Sequence, residues 1–117
     1  MLRGAAKNHG SVAVISRTSQ YDHLLTSIAA GGFTAEERQE LALEVFRTTA
    51  EYDLTIANWL GQKSQSELPK WFGQIFTQEN TLRYGENPHQ SAAIYRGGSD
   101  GIVQSKQLHG KEMSFNN

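Results

Sequence analysis

Cysteine is absent from the 117 residues, which excludes a disulfide framework and any thiolate metal site, and a reducing compartment is compatible with the composition. Charge of one sign is also lacking. With 11 basic and 12 acidic residues the net charge is −1, leaving no broad electrostatic footprint for nucleic acid or an anionic membrane. Any bound anion must therefore be held by a few local groups. Long apolar runs are missing too: the opening MLRGAAKNHG has no signal-peptide core, and no stretch approaches the roughly 20 residues of a membrane span. No internal repeat is present. The length suits one domain, yet the polar segment GQKSQSE at residues 61–67 reads as a linker and marks a candidate boundary near the middle.

Within the first half, SVAVIS at residues 11–16 is a short β-branched run entered through Gly10, the pattern of a strand covered on both faces. From Ser19 to about Ala30, Tyr21, Leu24, Leu25 and Ile28 recur at helical spacing, with Ser19 placed to cap and Gly31 to supply a left-handed residue at the end. A strand followed at once by a helix predicts an α/β fold. A longer helix is expected to start at Thr34, which forms a capping box with Glu37. Leu41, Val45, Tyr52, Ile56, Trp59 and Leu60 line one side, and Glu44, Arg47 and Glu51 are spaced for ion pairs on another. Carried to Gly61 the helix spans on the order of 40 Å. That is long for one small globule, so its apolar side calls for further partners.

After Pro69 come Trp71, Phe72, Ile75 and Phe76, then RYGENPHQ at residues 83–90. Gly85 permits unusual backbone angles and Pro88 restricts Asn87, so this segment is expected to fix Arg83 and Tyr84 at a turn. Residues 91–96, SAAIYR, read as a strand ending in a Gly97–Gly98 turn. The tail KQLHGKEMSFNN, residues 106–117, carries no closing signal and reads as a cut.

Taken together and in order, GAAKNHGSVAV, RYGENPHQ and KQLHGKEMSFNN resemble the bifunctional phosphoribosylaminoimidazolecarboxamide formyltransferase and IMP cyclohydrolase family. RYG or KNH alone would be a weak signal; three motifs spread over essentially the whole chain are specific. The resemblance implies an α/β fragment that joins the end of a methylglyoxal-synthase-like cyclohydrolase domain, residues 1–67, to the start of a cytidine-deaminase-like formyltransferase domain, residues 68–117. Met1 falls where that family has chain interior, so it is not read as a genuine start.

By the same resemblance, Lys7 is the lysine used in cyclisation, and Arg83 and Tyr84 bind the aminoimidazole-carboxamide ribonucleotide. Without it, Lys7 reads as an exposed loop lysine, Arg83 as a surface ion-pair partner and Tyr84 as a core aromatic. His9 reads as orienting its loop or satisfying a buried backbone group, and His89 either as stabilising a turn or as supporting the substrate-binding pair from behind. The family further implies 10-formyltetrahydrofolate as formyl donor, a homodimer, a cytoplasmic location, and no nucleic acid, membrane or metal partner. Its other catalytic lysine and histidine belong beyond Asn117, and much of the cyclohydrolase pocket belongs before Met1. The competing reading is a small non-catalytic binding module that docks through the long helix. Reading frames continuing past both ends of the chain would decide for the enzyme.

Overall fold

The computed structural model describes residues 1–63, 68–98, 101, 105, 106, 108–111 and 114. The chain divides into two compact units, Met1–Pro69 and Lys70–Asn117. Of the expected linker, residues 64–67 lie outside the described residues, and Gly61 and Gln62 belong to a helix. Part of the expected tail, residues 107, 112, 113 and 115–117, also lies outside them.

The first unit holds three α-helices: α1 (Leu2–Lys7), α2 (Tyr21–Ala29) and α3 (Ala35–Gln62). Its core is small, formed by Ala6, Val14, Leu41, Ala42 and Val45, with Ala5, Ala13, Ile15, Phe33 and Phe46 packed around them. Six residues are too few for an isolated helix to be stable, so α1 owes its form to packing. Ala5 and Ala6 let its backbone come close to α3, and Ala6 is fully buried there. An exposed ion pair at 3.1 Å, Arg3 Nη1 to Asp53 Oδ2, adds a contact of modest value.

α3 begins as its sequence predicts. The Thr34 hydroxyl accepts from Glu37 N–H at 3.1 Å, and Thr34 N–H donates to Glu37 Oε2 at 2.7 Å. Two first-turn donors are satisfied by neighbouring residues, independent of tertiary context. Thr34→Ala in the full-length protein is expected to cost about 1 kcal/mol locally. Amide hydrogen exchange at Glu37 should accelerate by roughly fivefold, and unchanged protection would remove the cap from any account of α3 stability.

Along α3, burial is confined to the first half, at Leu41, Ala42 and Val45. Tyr52 and Trp59 remain 67% and 54% exposed, as the expected need for further partners implies. Glu44, spaced to pair with Arg47, instead meets Arg17 Nε at 2.6 Å, and Arg17 also donates to Thr48 Oγ1 at 3.0 Å. A cross-element arginine therefore takes the carboxylate that helical spacing alone would give to Arg47.

Two local expectations need correction. Residues 11–16 form no strand; Ser11 closes a turn and residues 12–16 run without regular structure, with Val14 buried while Val12 is exposed. A strand needs a neighbour to pair its N–H and C=O groups, and the first unit contains no strand among its described residues. The segment beginning at Ser19 starts instead with a 3₁₀ turn, Thr18–Gln20, and Ser19 lies inside that turn. Gln20 Oε1 accepts from Ser16 N–H and Arg17 N–H and so organises the entry. At the other end Gly31 has φ +101°, the left-handed geometry expected there. The apolar series of α2 is largely exposed, with Leu25 at 67% and Ile28 at 61%.

The second unit is built on an antiparallel hairpin of β1 (Phe76–Leu82) and β2 (Ala92–Gly97). β2 matches the expected strand to within one residue, whereas β1 had no strand signal. Between Phe76 and Leu82 its sequence, TQENT, is wholly polar, and the strand is almost wholly exposed, so no alternation betrays it. A register shift between Gln78 and Asn80 leaves Glu79 without an opposite residue, and Glu79 Oε1 meets Arg96 Nη2 at 2.8 Å. Gly97 ends β2 opposite Phe76, where an added Cβ would fall 2.5 Å from the ring. The turn follows at Gly98, with φ +75°. The observed architecture is thus mixed α/β, three helices and a two-stranded antiparallel sheet, with no parallel sheet among the described residues.

Candidate functional site

Lys7 is the last residue of α1, and Asn8 and His9 form the turn that follows. That turn is tightly stitched. Asn8 N–H donates to Ala5 O at 2.9 Å, His9 N–H to Ala6 O at 3.2 Å, and the Asn8 amide Nδ2 to Gly4 O at 3.0 Å. Ser11 and Val12 N–H both return to Asn8 O, at 2.9 and 3.0 Å. Lys7 itself is exposed, and no hydrogen bond or ion pair engages its ammonium among the described residues. A cation at a helix C-terminus also complements the helix dipole. The arrangement offers an available ammonium on an ordered backbone, able to stabilise a developing oxyanion and to give up a proton.

His9 is half-buried, and its backbone carbonyl accepts a hydrogen bond from Arg38 Nε at 2.9 Å. The same guanidinium donates from Nη2 to Gly10 O at 3.1 Å and from Nη1 to Phe33 O at 2.6 Å. Sequence reasoning passed over Arg38, because it sits in a run of charged and polar residues, EERQE, that reads as a solvated helix face. Nothing in the spacing signals that it reaches back across 28 and 29 residues of chain.

Arg83 and Tyr84 sit together in the second unit, directly after β1. Arg83 is exposed and Tyr84 half-buried. The loop behind them closes on itself: Gly85 N–H donates to Gln90 O at 2.8 Å, Gln90 N–H to Asn87 O at 3.0 Å, and Asn87 N–H to Gln90 Oε1 at 2.9 Å. Gly85 is buried, and a Cβ there would come within 2.9 Å of Gln90 Cβ, so the tight closure depends on glycine. His89 is exposed on this loop. The closed loop fixes the backbone just after this consecutive arginine and tyrosine, residue types that can offer a forked cation and an aromatic hydroxyl.

Among the described residues no group of three or more His, Asp or Glu is placed to hold a metal ion, and no helix is long and apolar enough to cross a membrane.

Comparison with known proteins places these motifs in context. The family described as AICARFT/IMPCHase bienzyme matches residues 5–117. The "Bifunctional purine biosynthesis protein PurH" of Corynebacterium glutamicum is 50% identical over 122 residues, covering 100% of this chain and 24% of that protein. The proteins of the same name from Mycobacterium marinum and Mycobacterium ulcerans are each 48% identical over 124 residues, again covering 100% of this chain and 24% of theirs. The chain thus spans about a quarter of the length of the curated relatives it matches.

Proposed function

Because the chain belongs to the AICARFT/IMPCHase bienzyme family, we propose that it is part of an enzyme that formylates the aminoimidazole-carboxamide ribonucleotide and closes the product to IMP. The match across residues 5–117 is the observation that carries this reading, and it weighs against a non-catalytic module. Residues 1–67 then belong to the methylglyoxal-synthase-like cyclohydrolase domain, and residues 68–117 begin the cytidine-deaminase-like formyltransferase region. The whole protein works in the cytoplasm as a homodimer. Its formyl donor is 10-formyltetrahydrofolate, and none of Lys7, Arg83 or Tyr84 is assigned to it.

In ring closure the carboxamide nitrogen attacks the formyl carbon, the formyl oxygen gains negative charge and a proton, and that oxygen finally leaves as water. Lys7 stands beside this oxygen, stabilises the charge and supplies a proton. Its exposed ammonium, unpaired among the described residues, and the ordered turn that follows support the role.

Arg83 and Tyr84 bind the ribonucleotide before formyl transfer, the guanidinium holding an anionic oxygen group through paired hydrogen bonds. Arg83→Lys keeps the charge and removes the fork. In the full-length enzyme this change is expected to weaken ribonucleotide binding by about 1.5–3 kcal/mol while folate affinity and cyclisation hold. Isothermal titration with each formyltransferase substrate measures it, with circular dichroism and dimer mass as controls for folding. Unaltered ribonucleotide affinity would return Arg83 to a structural role.

A further inference from the structure

We propose that Arg38 is a positioning residue for cyclisation, acting through the turn that directly follows Lys7; the inference rests on the proposed role of Lys7. Three donors of one guanidinium reach three backbone carbonyls, those of His9, Gly10 and Phe33, all outside any helix or sheet ladder. Nε and Nη2, along one edge of the fork, chelate the consecutive carbonyls of His9 and Gly10. Nη1 ties the same group to the residue just before the Thr34 cap. The turn after Lys7 and the start of α3 are thereby locked to each other through a planar group with little freedom of its own.

The bonds that stitch the turn lie within α1 and the turn itself, so the lock matters because little else among the described residues ties α1 to α3. α1 is only six residues long, has no side-chain N-cap, and its one ion pair to α3 is solvent-exposed. Packing of Ala5 and Ala6 fixes its distance from α3, but small side chains resist sliding poorly. Arg38 supplies the directional restraint at the Lys7 end. A displacement of about 1 Å at a catalytic group can cost up to roughly 100-fold in rate. Lysine cannot replace the guanidinium here, because one ammonium cannot reach three carbonyls in a plane.

The test uses the full-length enzyme and a double-mutant cycle. Arg38→Lys is expected to lower kcat for cyclisation by about tenfold, with KM changed less than about threefold and formyl transfer unchanged. On a Lys7→Leu background the same change should alter the residual cyclisation rate less than about twofold, since the residue it positions is already gone. A merely structural role predicts the opposite, an equal fractional loss on both backgrounds, and that result overturns the proposal. Arg38→Gln, which keeps one amide donor, is carried through the same cycle so that poor folding of one variant cannot decide the matter. A slow Lys7→Leu enzyme combined with a fast Arg38→Lys enzyme overturns the positioning role alone. A fast Lys7→Leu enzyme overturns both assignments.

Discussion

Lys7→Leu in the full-length enzyme is expected to slow ring closure by about 100-fold or more while leaving formyl transfer largely intact. Leucine fills similar volume and keeps helix propensity at the end of α1, so the backbone of the following turn has no reason to move. What disappears is one ammonium. The formyl oxygen then acquires its charge without that partner, and the proton needed for departure as water must come from solvent. Loss of a single positioned donor of this kind commonly costs about two to three orders of magnitude. The effect should fall on kcat more than on KM, because the charge develops during reaction and is absent from the bound substrate. Separate assays of the two half-reactions, with circular dichroism to verify folding, are sufficient. Equal loss of both activities in a folded protein would mean that Lys7 supports the structure and not the chemistry.

What could be read from the sequence follows how local the determining interactions are. The Thr34 cap lies within four residues, and its two hydrogen bonds appear as the residue types demand. The closed loop behind Arg83 and Tyr84 is similarly local, with Gly85, Asn87 and Gln90 supplying its bonds. Residues 11–16 form no strand for the opposite reason. Their composition is β-branched and apolar, yet pairing depends on a neighbour that the first unit does not contain among its described residues. β1 escaped notice because the residues between Phe76 and Leu82 are all exposed and polar, which leaves hydrophobic periodicity nothing to report.

The candidate site divides along the same line. Lys7, Arg83 and Tyr84 were reached through a family resemblance carried by short motifs, and the structure adds where each stands on the backbone. Arg38 was invisible to both routes. Its three carbonyl partners become neighbours only when α1 and the segment after it pack against α3, and a charged residue on a helix is ordinarily solvated.

The isolated 117-residue chain is expected to form no IMP and to unfold without a sharp cooperative transition. Among its described residues the first unit withdraws few apolar side chains from water, and Val45 is the one large side chain buried completely. Leu25, Ile28, Tyr52, Trp59 and Leu60 all remain more than half exposed. Each forgoes much of the roughly 1.5–3 kcal/mol that full burial of a large apolar side chain contributes. Folded domains retain only about 5–15 kcal/mol in total, so several such losses are comparable with the whole margin. The second unit is no better placed, since an exposed two-stranded hairpin is marginal in water. Relatives about four times as long offer ample chain to cover these faces, and the turn that follows Lys7 needs α3 held steady to keep its position. Calorimetry of the isolated chain should show a broad, low-enthalpy transition, and dye binding should reveal exposed apolar surface that the full-length protein hides. Measurable IMP formation by the purified chain, or a single sharp transition with a matching van't Hoff enthalpy, would show that the small core suffices.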